Sequence, residues 1–192
     1  MKRGTAIIII VIAVIAITIG GFFMWANGVY NKSITLQEEV NNQWGDVLAT
    51  YQRRADLVPN LVATVKGAAE NEKSILIGVT QARAGIGNAK TPAEVEGFAQ
   101  KINTAINVVF EKYPEVKSTQ NFAELQAQLE GTENRINVAR QKYNESVKGY
   151  NIQIRGIFRK MALNIMGSAG EFPVKESFKA SAGAENAPKV QF

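Results

Sequence analysis

The chain contains no cysteine and no histidine among its 192 residues. Without cysteine there is no disulfide framework, no thiolate nucleophile and no zinc–thiolate site. Without histidine the commonest general base and metal ligand is missing, which excludes Ser-His and Cys-His catalytic pairs and the Glu-x-x-His sites of di-iron bundles. We therefore expect no cofactor and no metal.

A strong net charge is also lacking, since the chain has 22 basic and 17 acidic residues and a formal net charge of +5. A positive balance this small fits a solvated surface or contact with anionic lipid better than a nucleic-acid groove. Aromatic and basic residues do not alternate as they do on a stacking platform. We expect neither nucleic acid nor a small-molecule substrate as a partner.

The N-terminal segment "MKRGTAIIIIVIAVIAITIGGFFMWANG", residues 1–28, predicts a transmembrane anchor. Residues 5–26 carry no charge, and a helix of that length rises about 33 Å, enough to cross a bilayer. Trp25 lies where interfacial aromatic residues are expected. A cleaved signal peptide is the alternative, but the segment supplies no good A-x-A cleavage site.

Basic residues next to the anchor predict its orientation. Lys2 and Arg3 flank its short side, whereas the far side carries Lys32 followed by two glutamates. The positive-inside rule then places the N-terminus in the cytoplasm and the body outside it. We predict a single-pass protein of the bacterial inner membrane, with the lipid bilayer as its first partner.

Residues 29–166 are predicted to be an all-α domain, because apolar residues recur at helical spacing and no strand-like alternation is present. The first helix continues from the anchor, and a second one around residues 72–84 ends in a loop at "GIGNAK". Thr91, Pro92 and Glu94 form a capping box that opens the third helix, and Pro114 ends it. Short connections favour antiparallel neighbours, so we predict an antiparallel up-and-down four-helix bundle.

The fourth predicted helix runs from about residue 121 to about residue 164. Its apolar stripe is expected to face the core and consists of Phe122, Leu125, Leu129, Ile136, Tyr143, Val147, Ile154, Phe158 and Met161. Residues 167–192 are rich in Gly, Ala, Ser and Pro, and they predict an extended C-terminal tail.

Three blocks of the sequence together resemble the LemA family of bacterial membrane proteins: "QRRADLVPNLVATVKG", "LQAQLEGTENRINVARQKYNESVKGYNIQIR" and "FKASAGAENAPKVQF". The resemblance covers nearly the whole chain and implies a four-helix bundle on one N-terminal span. It implies no activity, although a relative in magnetotactic bacteria is implicated in shaping internal membranes. The usual family description places the body in the cytoplasm, whereas the charges of this chain argue the reverse.

Arg54 projects into the apolar stripe of the first helix, and a buried arginine needs a partner. Glu133 lies on the matching side of the fourth helix, with Arg140 two turns on. We predict a structural polar layer of Arg54, Glu133 and Arg140 that fixes helix register. Amide groups that complete its hydrogen bonds are expected from Asn134, Asn144 and Asn151. Arg53 and Asp56 project toward solvent or a neighbouring helix.

Pro59 removes one helical hydrogen bond, and we expect a kink there because the apolar stripe keeps its phase from Val58 to Val65. The alternative is a new helix capped by Asp56. An enzyme is not expected. A carboxylate held by an arginine is a poor general base, and no serine–lysine pair has a useful helical spacing.

Residues 154–167, "IRGIFRKMALNIMG", combine an apolar side with Arg155, Arg159 and Lys160. They are either a solvated bundle end or a contact with anionic headgroups, and both interpretations stay open.

The tail carries four apolar residues that we expect to dock it on its own helices: Phe172, Phe178, Val190 and Phe192. Capture of its C-terminus by a PDZ-type groove is the alternative.

These features predict a non-enzymatic, membrane-anchored scaffold or adaptor that binds an unidentified envelope protein. The alternative is an oligomeric membrane-shaping protein.

Overall fold

The computed structural model describes residues 3–64, 69–112 and 120–179. These residues are all-α, with no strand among them, as the sequence predicts. Their helices are α1 (Arg3–Thr64), α2 (Ala69–Asn88), α3 (Pro92–Lys112), α4 (Gln120–Arg155), α5 (Ile157–Ile165) and a short 3-10 helix (Ala169–Glu171). The predicted core residues Val65 and Phe122, the helix-ending Pro114 and the tail residues Val190 and Phe192 lie outside the described residues or side chains.

The chain forms two compact units. Unit 1 comprises Met1–Asn41 and Ser146–Lys175, and unit 2 comprises Asn42–Glu145 and Glu176–Phe192. Helices α1 and α4 contribute residues to both units.

The N-terminal part of α1 is an apolar helix that is long enough to cross a membrane and has its side chains exposed. Large apolar side chains from Ile7 to Trp25 are open, and burial begins at Ala26 and Val29. This segment is compatible with a membrane anchor.

The rest of α1 continues through Pro59 to Thr64. Most of its predicted apolar stripe is buried, namely Val40, Val47, Tyr51, Val58, Leu61 and Val62, whereas Leu36 and Trp44 are half-buried. Val58 and Leu61 are both fully buried on either side of the proline, whose own ring is exposed. The alternative of a new helix capped by Asp56 is therefore wrong, and Asp56 pairs instead with Arg83 of α2. The kink at Pro59 stays a prediction.

The predicted loop at "GIGNAK" is wrong, because α2 continues to Asn88. A Cβ atom on Gly85 would lie only 2.3 Å from the nearest ring carbon of Phe98. Glycine therefore serves close packing of α2 on α3 and does not break the helix. At the start of α3 the Thr91 hydroxyl accepts from the Glu94 backbone N–H, as the capping box requires, whereas the Glu94 carboxylate accepts from the Lys90 backbone N–H.

The single long fourth helix is also wrong in its last part. Gly156 has φ −59° and ψ 130°, an extended conformation that separates α4 from α5. The stripe stays buried to Ile154, but Phe158 is 70% exposed and Met161 46% exposed. The interruption changes the phase, so that Ala162 and Leu163 are buried in their place.

Helix α5 ends in a Schellman motif. The backbone N–H of Gly167 donates to Asn164 and that of Ser168 donates to Leu163, both at 3.0 Å. Gly167 has φ +73°, which favours glycine at this position.

Candidate functional site

Arg54 and Glu133 contact each other in unit 2 as an ion pair between α1 and α4. The Arg54 side chain is 15% exposed and that of Glu133 is 50% exposed, so the predicted layer is buried only on its arginine side. Burial lowers the pKa of Arg54. Among the described residues, its buried Nε has no hydrogen-bond partner.

Arg140 is held by a residue that the sequence did not indicate. Its guanidinium lies 2.8 Å from the Glu96 carboxylate of α3. Tyr51, which is buried, interacts with both Arg54 and Arg140. Burial raises the pKa of the Tyr51 phenol, and the two arginines oppose that shift. The charged groups of this region thus connect three helices.

Side chains of α4 hold the extended segment Glu176–Lys179 of unit 2 by its backbone. We call Arg140, Tyr143 and Asn144 the tail clamp. The Asn144 amide donates to the Phe178 carbonyl at 3.0 Å, and its oxygen accepts from the Phe178 N–H at 2.8 Å. Tyr143 donates to the Glu176 carbonyl and Arg140 to the Lys179 carbonyl, each at 2.9 Å. The backbone groups of the extended segment are therefore hydrogen-bonded by the clamp whatever side chains that segment carries.

The Phe178 ring fills an aromatic pocket beside the tail clamp and is only 4% exposed. Trp44 stacks on it at 6.0 Å between centroids, and Tyr143 meets it edge-on at 5.6 Å. The Arg140 guanidinium lies 4.7 Å from the ring centroid, within cation–π range. The pocket therefore selects a large apolar side chain at this one position.

The same chemistry recurs in unit 1 one heptad later on α4. Tyr150 donates to the Pro173 carbonyl at 3.0 Å. Asn151 exchanges two hydrogen bonds with the Lys175 backbone at 2.8 and 3.1 Å. Burial raises the pKa of Tyr150 to about 12.

Phe172 is the aromatic anchor of the tail in unit 1. It is 5% exposed and meets Tyr30 edge-on, with 5.6 Å between the ring centroids. The Tyr30 hydroxyl donates to the Glu171 carboxylate, which raises the pKa of the phenol.

Asn144 and Asn151 thus bind the tail and do not complete the polar layer, contrary to the prediction. The repeated pair "YN" at residues 143–144 and 150–151 was the available signal. Seven helical residues advance about 10.5 Å and three extended residues about 10 Å, which matches the step from Lys175 to Phe178.

A groove on the α1–α4 surface of unit 2 has a volume of about 400 Å³, with a neighbouring space of about 330 Å³ that shares two of its arginines. We call it the open groove. Arg53, Arg135 and Lys142 line it together with one acid, Asp46, and with Val138, which is 46% exposed. Asn134, predicted to serve the polar layer, also lines this groove.

Arg155, Arg159, Lys160 and Trp25, the predicted membrane-interface residues, are all exposed in unit 1. Within the described part of the chain, no three acidic residues come close enough to hold a metal ion.

This is an all-α protein in which a long helix begins with an exposed apolar segment and α4 receives an extended segment of the same chain. The chain belongs to the LemA family, whose model matches residues 43–192, so the resemblance of the sequence is confirmed. It is 25% identical to Protein LemA of Metamycoplasma hominis over 142 residues, which cover 72% of this chain and 65% of that protein. The chain therefore spans about 65% of the length of the curated relative it matches.

Proposed function

We propose that the chain is a non-enzymatic, membrane-anchored scaffold or adaptor of the bacterial envelope. The observation that carries this proposal is the open groove, which is lined by three exposed basic residues, by Val138 and by a single acid. Its charge complements an acidic segment of a partner protein. The tail clamp supports the same proposal, because in it side chains of α4 bind the backbone of an extended segment.

An uncleaved N-terminal span anchors this adaptor. Ala26, the last residue of the run 5–26, and Val29 are buried in unit 1. Cleavage at that point would cut within a continuous helix at residues that pack against the body. This packing supports an anchor over a removable signal segment.

We propose the up-and-down, antiparallel four-helix arrangement for the helices. The order of contacts in unit 2 supports it. Trp44 meets Tyr143, whereas Arg54, ten residues further along α1, pairs with Glu133, ten residues earlier on α4.

The N-terminus is proposed to be cytoplasmic and the body extracytoplasmic, on the charges of Lys2 and Arg3. A reporter enzyme that is active only outside the cytoplasm, fused to the C-terminus, is expected to be active. An inactive but intact fusion would refute this orientation.

Photo-crosslinking in the native host tests the adaptor role. A photoreactive residue at Val138 is expected to give a discrete adduct with a different protein, and the same residue at the exposed Gln141 is the matched control. Arg53→Glu together with Arg135→Glu should abolish the adduct, because the groove then repels an acidic segment. Equal crosslinking from both positions, or an adduct unaffected by charge reversal, would contradict the proposal.

An oligomeric membrane-shaping protein is the second candidate, favoured by the exposed isoleucines on all sides of the N-terminal helix. It predicts that a photoreactive residue at Ile12 of that helix gives an adduct with twice the mass of one chain.

A further inference from the structure

Helix α5 presents an apolar face that the rest of unit 1 leaves uncovered. Ile157 is 83% exposed, Phe158 70% and Ile165 57%, and Met161 lies between them at 46%. At 100° per residue these four side chains fall within an arc of about 100°. Isolated exposed apolar residues are ordinary, but a grouped face of this kind marks an interaction surface.

The charges of α5 and of the sequence next to it are basic. Between Glu145 and Glu171 the sequence contains Lys148, Arg155, Arg159 and Lys160 and no acidic residue. A second copy of α5 would meet like charges, whereas an anionic lipid surface would meet opposite ones. The charge pattern therefore selects lipid over self-association.

A cavity beside α5 combines basic and apolar lining residues, although it includes none of the four residues of the exposed face. It has a volume of about 340 Å³ and is lined by Arg155 and Lys160 together with apolar residues that include Val174, which is 59% exposed. A lining of two cations and several apolar residues suits an anionic headgroup with the start of its acyl chain.

Unit 1 also holds this segment next to the membrane end of α1. Gln153, at the end of α4, donates to the Val29 carbonyl at 3.4 Å. Val29 lies three residues beyond Ala26 and three residues before Lys32, the first charged residue after the apolar segment. Helix α5 begins four residues after Gln153, so it lies within reach of the surface from which the span emerges.

We propose that α5 is an interfacial helix that binds the anionic surface of the membrane crossed by α1. Ile157, Phe158, Met161 and Ile165 enter the headgroup region, and Arg155 and Lys160 hold a lipid phosphate. The inference rests on the proposed membrane anchor and adds a lipid-binding site to it. It goes beyond the interpretation drawn from the sequence because Phe158 and Met161, predicted as core residues, form part of an exposed apolar face.

The absence of cysteine permits a direct test with the full chain in lipid nanodiscs. An environment-sensitive dye is attached in turn at Phe158→Cys, at Ile12→Cys in the span, and at Asn41→Cys. Asn41 is an exposed residue of unit 1 about 22 Å along α1 beyond Ala26. Lipid-attached quenchers then report which labels contact the bilayer.

Nanodiscs with about one third anionic lipid should quench the Phe158 and Ile12 labels and leave the Asn41 label unquenched. Exchange of Arg155, Arg159 and Lys160 for glutamine should reduce the ratio of bound to free α5 on the order of a hundredfold, at about fivefold for each charge. A Phe158 label as unquenched as the Asn41 label, beside a quenched Ile12 label, would overturn the inference and leave the anchor standing. An unquenched Ile12 label would refute the anchor and the inference together.

Discussion

Removing the Asn144 side chain should release the tail from unit 2. Asn144→Ala deletes two hydrogen bonds to the Phe178 backbone, at 3.0 and 2.8 Å. Each such bond contributes about 0.5–1.5 kcal/mol net, so the expected loss is about 2 kcal/mol. That loss corresponds to about 30-fold faster exchange of the Phe178 amide hydrogen when it exchanges by local opening.

Hydrogen exchange and fluorescence measure this release independently. Trp44 stacks on Phe178, so in a Trp25→Phe background the emission of Trp44 alone should shift to longer wavelength as the ring departs. Gln141→Ala is the matched control, because Gln141 is exposed and its amide donates to the exposed Glu145 carboxylate. It should leave both signals unchanged.

If the tail stays docked, the Phe178 amide hydrogen of the Asn144→Ala protein exchanges no faster than in wild type. Unchanged exchange together with unshifted Trp44 emission would refute the predicted release of the tail. The clamp would then contribute nothing to tail docking beyond the aromatic pocket.

Three further predictions concern unfolding. Gly78→Ala and Gly85→Ala both gain helix propensity, but only Gly85→Ala places a Cβ atom against an aromatic ring. In urea titrations the Gly85→Ala protein should therefore be less stable than the Gly78→Ala protein by about 1–3 kcal/mol. Equal stabilities would contradict the packing of α2 on α3. The Arg54→Leu protein should either populate more than one oligomeric state or melt at a different temperature from wild type. A variant with one oligomeric state and the wild-type melting temperature would disprove the register role. Burial raises the pKa of Tyr150 to about 12, so its contribution to the free energy of unfolding is complete below pH 10 and falls by about 2–3 kcal/mol as the pH rises through 12. Tyr150→Phe should therefore lose less stability than wild type between urea titrations at pH 9 and pH 11.5. An equal loss in both proteins would contradict the burial of the phenol.

Periodicity in the sequence predicts most of the helical core, because burial of one face imposes the 3.6-residue repeat directly. The stripe of α1 remains buried on both sides of Pro59, and that of α4 remains buried to Ile154. The prediction fails at Gly156, since a lone glycine in a helical pattern gives no sign that the chain will turn there. Phe158 and Met161 of α5 are therefore predicted as core residues although they are exposed.

Partners across the fold are harder to predict than faces. Projection on a helix tells which side Arg140 occupies but not that Glu96 of α3 meets it. The amides of Asn144 and Asn151 were assigned to the polar layer because their distant partner, the tail, has no periodic pattern of its own. Arg53 and Arg54 are conspicuous in the sequence because they are charged. The repeated uncharged pair "YN" is less conspicuous, yet its residues make the hydrogen bonds to the tail.

Membrane anchorage through an uncleaved first helix is the central claim, and one measurement tests it most directly. Membranes from cells that produce the C-terminally tagged protein are washed with alkaline carbonate, and the retained protein is digested and analysed by mass spectrometry. We predict that the tag stays in the membrane pellet and that peptides covering the apolar run 5–26 are recovered from the same protein. Release of the tag into the wash, with a mature N-terminus beyond Ala26, would contradict the account.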